Sequence, residues 1–150
     1  MSTNTDTSKL DDLIHTVIDS IKGFERSAED APDGRFASFF RGMAQERREV
    51  VTTLQARSRA LGGSPTEQGS AAGTLHRRWE DLRAALGGGD KAVIQEVERG
   101  EDYLKEEFER ALNDSNVTEE TRAVIRSCYD SVRRGHDTAS MLKRELEATI

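Results

Sequence analysis

Leu10, Leu13, Ile14, Val17, Ile18, Ile21, Phe24 and Ala28 recur at steps of three and four, the spacing of one face of an amphipathic helix. The pattern predicts a first helix over about residues 8–30, with Thr7 or Ser8 as cap and Asp11 and Asp12 in its positive first turn. The residues before it, 1–7, are small and polar and are expected to be disordered. Ala31-Pro32-Asp33-Gly34 is turn chemistry, and a second stripe follows through Phe36, Phe39, Phe40, Met43, Val50, Val51, Leu54 and Leu61. It stops at Gly62-Gly63-Ser64-Pro65, so the second helix spans about 34–61 and runs antiparallel to the first.

After a Gly/Ser/Thr/Ala-rich stretch, Leu75, Trp79, Leu82 and Leu86 mark a short helix that halts at Gly87-Gly88-Gly89. Trp79 is expected to anchor it, with His76 packing on the same face. Asp90 caps a longer helix carrying Val93, Val97, Leu104, Phe108, Ala111 and Leu112. Asn113-Asp114-Ser115-Asn116 ends it, and Thr118-Glu119-Glu120-Thr121 opens a last helix with Val124, Ile125, Cys128, Val132, Ala139, Leu142 and Leu146. Residues 8–150 therefore read as a single all-α domain of four long helices. The long middle connection can run the length of a bundle and set the second and third helices parallel. Two tight hairpins joined by such a crossover make the ferritin-like arrangement of a four-helix bundle.

Composition narrows the function classes. The chain has 150 residues, 33% charged and 5% aromatic, with a formal net charge of −6. Acid and base are interleaved, as in Glu46-Arg47-Arg48-Glu49, so there is no basic stripe to neutralise phosphates and no nucleic-acid partner is expected. No apolar run approaches the ~18 residues of a membrane span, and there is no secretory leader, so a cytoplasmic location without membrane association is expected. The lone Cys128 excludes an intrachain disulfide and reads as a small buried hydrophobe. His15 reads as a surface residue.

The candidate chemistry lies where the stripes break. The second helix passes from Met43 to Val50 through Glu46 and Arg47, the third from Val97 to Leu104 through Gly100 and Glu101, and the last from Val132 to Ala139 through Gly135 and His136. Carboxylates and imidazole inside a bundle suit iron or manganese, the usual set being one Glu on each of two helices and Glu-x-x-His on the other two. That set is incomplete here. Glu46-Arg-Arg-Glu49 has a carboxylate in place of the imidazole, and Arg133-Arg-Gly-His136 has a cation in place of the carboxylate. A turn centred near residue 115 would also set His136 level with about residue 94, closer to Glu98 than to Glu101. A reduced metal site from Glu46, Glu98, Glu101 and His136 is one expectation. The other is a set of hydrogen-bonded pairs that fix helix register, with the glycines marking tight packing.

GSAAGTLHRRWEDLRAAL (69–86), EVERGED (96–102) and YDSVRRGHD (129–137) resemble a bacterial family of uncharacterised ferritin-like four-helix-bundle proteins, a domain of unknown function. GFERSAED (23–30) and LGGSP (61–65) share the likeness, which spans about residues 9–146. The resemblance implies a ferritin-like bundle and no established reaction. It carries over Glu46, Glu101 and His136 from the iron-binding pattern of the wider group, and Arg47 and Trp79 as structural positions. The expected function is therefore non-enzymatic, through homodimerisation or a protein partner, in a stress-related setting. The alternative is an iron- or manganese-binding, oxidase-like protein.

Overall fold

The computed structural model describes residues 3–30, 34–65 and 90–148. They form four helices, α1 (Thr3–Asp30), α2 (Gly34–Ala60), α3 (Asp90–Leu112) and α4 (Glu119–Ala148), with no strand among the described residues. The fold is an all-α four-helix bundle. The short helix expected over residues 75–86, with His76 and Trp79, lies outside the described residues.

The stripe read from α1 is its buried face, since all eight positions from Leu10 to Ala28 are in the core. Phe40, Met43, Val50, Val51 and Leu54 of α2 meet them, with the Phe24 and Phe40 rings 6.0 Å apart. Val97, Leu104, Phe108 and Ala111 of α3 pack with Ile125, Cys128, Val132 and Ala139 of α4. Burial pushes the Cys128 thiol up to about 11, which leaves it protonated and inert at neutral pH.

The most extensive packing is within the hairpins, α1 on α2 and α3 on α4; the hairpins then join through α2 on α4 and, less extensively, α1 on α3. One end of the bundle gathers the starts of α1 and α4 and the ends of α2 and α3. Lys9 pairs with Asp114 there, and Arg57 donates to the Thr121 hydroxyl at 3.0 Å. Helices α2 and α3 are therefore parallel and diagonally opposed. Pro65 and Asp90 consequently sit at opposite ends, as the length of the intervening connection predicts.

Two termini are built in detail. Gly62 (φ 85°) donates to the Arg59 carbonyl and Gly63 to the Ser58 carbonyl, both at 2.9 Å, the paired bonds that close a helix on a left-handed glycine. The start of α1 differs from expectation. It begins at Thr3 instead of near residue 8, because Asp6 is fully buried and bonded to the start of α4, so residues 3–7 are helical instead of disordered.

Candidate functional site: a buried ion pair across the bundle

Helix α2 turns Arg47, and not Glu46, into the seam. Positions 43, 44, 47, 50, 51 and 54 share the inward face, so Glu46 falls on the exposed side. Arg47 is 0% exposed and the largest fully buried side chain among the described residues. Its target is Glu101 on α3, 1% exposed. Nη2 donates to Oε2 at 2.7 Å and Nη1 to Oε1 at 3.2 Å, a two-pronged contact between the diagonal helices α2 and α3. Arg47 Nε has no hydrogen-bond partner among the described residues.

Burial pushes the Glu101 carboxyl above its ordinary range, while the charges of Arg47 and then His136 pull it back and those of Glu46 and Asp102 add to the rise. Its ionised form therefore depends on Arg47.

Gly135 on α4 makes the space. A Cβ there would lie 2.4 Å from Arg47 Nη2 and 2.8 Å from Met43 Cε. The glycine in the α4 break is thus a slot for the guanidinium.

His136 follows on the half-buried edge. Its Nε2 lies 2.5 Å from Asp102 Oδ1, whereas Nδ1 is buried without a hydrogen-bond partner among the described residues, Asp137 Oδ1 being 3.7 Å away. Glu98 accepts from Lys143 at 2.9 Å and lies 3.5 Å from the Ser140 hydroxyl.

These contacts correct the register expected for the second hairpin. Asp102 meets His136, Glu109 accepts from the Tyr129 hydroxyl, and Glu98 lies by Ser140, each pair equidistant from residue 119. The axis is displaced from the middle of the turn because α4 begins roughly two turns beyond the level where α3 ends. The connection climbs that distance along α4, with Val117 buried and Arg122 bonding the carbonyls of Leu112 and Asp114. His136 is therefore level with Asp102, beside Glu101, and not with residue 94.

Of the four metal candidates, Glu46 is exposed, Glu98 is tied to α4, Glu101 is held by Arg47 and His136 by Asp102. No group of three or more His, Cys, Asp or Glu side chains among the described residues is arranged to hold a metal ion. The donors that do converge are engaged by other side chains, Glu101 by Arg47 and His136 by Asp102.

The sequence profile of a family described as a domain of unknown function (DUF2383) matches residues 6–114. The chain belongs to this family. No curated protein matches it. The DUF2383 span runs through α1, α2 and α3 and so holds Arg47, Glu101 and Asp102, while Gly135 and His136 lie beyond it.

The DUF2383 span opens on a second buried polar centre that sequence reading missed. Asp6 accepts from the Thr118 amide at 2.9 Å, the Thr118 hydroxyl at 2.5 Å and the Thr121 hydroxyl at 2.8 Å. It thus caps α4 from another helix, satisfying the Thr118 amide at that N-terminus. The signal was present, because Asp6 stands one turn before Leu10 on the same face. Burial pushes the Asp6 carboxyl up, but the bonds from Thr118 and Thr121 and the charge of Arg57 outweigh it and hold it below the usual aspartate value.

A depressed folded pKa gives stability that is full above the unfolded value, about pH 4, and is lost as pH falls through the folded value. Asp6→Ala should therefore cost about 1–2 kcal/mol at neutral pH. It should also flatten the acid limb of the stability profile, read by urea unfolding at a series of pH values.

Proposed function

We propose that this protein is a non-enzymatic bundle of ferritin-like arrangement that acts in the cytoplasm by associating with itself or with a protein partner. The observation that carries this reading is the bond between Arg47 and Glu101. A carboxylate at the centre of such a bundle could serve as a metal ligand, and here its two oxygens are both engaged by a guanidinium. The cation that neutralises the core acid is part of the chain. Glu46 faces away, and Glu98 and His136 each have a protein partner on the neighbouring helix.

The test is elemental analysis of untagged protein purified without chelator, and again after loading with Fe(II), Mn(II) and Zn(II). Retention well below one metal per chain is expected. Stoichiometric iron or manganese that disappears on Glu101→Ala would overturn the reading and favour the oxidase-like alternative, with Glu101, Asp102 and His136 as the residues to pursue.

A further inference from the structure

On the outer side of the first hairpin, α1 and α2 flank a groove of about 390 Å³. Its α1 wall carries Glu25 and Glu29, its α2 wall carries Arg41 and Arg48, and Ala28 and Ala44 are buried between them. One wall is acidic and the other basic. Glu25 and Arg48 form an ion pair at 2.8 Å while staying 49% and 45% exposed. Glu29 and Arg41 are exposed, and neither enters an ion pair with another described residue.

We propose that this groove is the contact between two copies of the chain, related by a twofold axis that lies in the contact plane and runs parallel to α1 and α2. The proposal rests on the self-association part of the function given above. Rotation about such an axis keeps every residue at its own height and exchanges left for right, so α1 of each copy covers α2 of the other.

The two acids that line the groove, Glu25 and Glu29, then face its two bases, Arg41 and Arg48. Glu29 meets the partner's Arg41, and Glu25 and Arg48 can trade their internal contact for the equivalent one across the interface. Glu25 is four residues from Glu29 and Arg41 is seven from Arg48, so the free pair differs by only about 5 Å in height, within reach of these long side chains. The other in-plane axis, across the helices, would set α1 on α1 and acid on acid. Charge thus selects one of the two symmetric ways to close this face.

The surface is modest. Its lining runs only from Glu25 to Glu29 on one helix and from Arg41 to Arg48 on the other, a short strip beside the roughly 800 Å² per partner of a standard stable interface. A weak, salt-sensitive dimer follows.

Sedimentation equilibrium of the full chain at low and high salt tests this, using the wild type, Arg41→Glu, Glu29→Arg and the double exchange. All the substituted side chains are exposed, and an unchanged helical circular dichroism signal establishes that each variant is folded. The expected result is a wild-type dimer weakened by salt, a dissociation constant raised about tenfold or more by either single reversal, and recovery in the double exchange.

A dimer indifferent to the reversals, or a double exchange that fails to recover, would overturn this surface while leaving self-association standing. A wild type that stays monomeric would overturn both.

Discussion

Arg47→Ala should be the most damaging single truncation in the core, costing about 3–5 kcal/mol in chemical denaturation. The loss is not the strength of one salt bridge. It is the cost of leaving Glu101, 1% exposed, without its counter-charge, together with the void left by a long stem that is 0% exposed. With Arg47 gone, the carboxyl that burial already pushes upward is held higher still, so it folds most readily with a proton bound. A carboxyl whose folded pKa lies above its unfolded one loses stability as pH rises through the folded value. The variant should therefore be closest to wild type in acid and fall behind as pH increases.

Replacing both partners is a different perturbation. Arg47→Met with Glu101→Leu removes both charges and refills the seam with apolar volume, and it should return stability to within about 1 kcal/mol of wild type or above it. Arg47 Nε already lacks a partner among the described residues, so among them the polar centre is incompletely satisfied before any substitution. A double variant as unstable as Arg47→Ala would show that the guanidinium makes contacts which apolar packing cannot replace. A stable double variant would leave specification of helix pairing as the reason to keep the charges.

The fold was legible because periodicity reports burial directly. Leu10 to Ala28 are buried as the three- and four-residue steps require, and the long connection implied the parallel setting of α2 and α3. The breaks at residues 46–47, 100–101 and 135–136 were legible as places, but not as contacts. Whether Glu46 or Arg47 faces inward depends on one step of helical phase, and a seam with a gap between Met43 and Val50 does not fix that step. The partner of His136 depended on height, and a turn's midpoint is a poor ruler when its two helices end at different levels. Asp6 was obscured by composition, since a small, polar opening segment resembles a frayed end until the donors of α4 are placed beside it.

Gly135→Ala should cost about 2–3 kcal/mol, far more than its single methyl group suggests. In an open helix interior the same change would stabilise by about 0.5–1 kcal/mol, because glycine loses more backbone freedom than alanine on folding. Here the added Cβ would lie 2.8 Å from Met43 Cε and 2.4 Å from Arg47 Nη2. The methionine end can swing aside at small cost. The guanidinium cannot, because Nη2 is the nitrogen that donates at 2.7 Å to Glu101, and moving it stretches the bond that neutralises the buried acid. The penalty therefore belongs to the ion pair and should vanish with it. In the Arg47→Met, Glu101→Leu background, Gly135→Ala should become neutral or stabilising, and a double-mutant cycle by urea unfolding measures that change of sign. A penalty that persists unchanged would mean that α4 needs the glycine for close approach to α2 itself. Disappearance would make Gly135 the position on α4 that lets α2 and α3 join through the centre of the bundle.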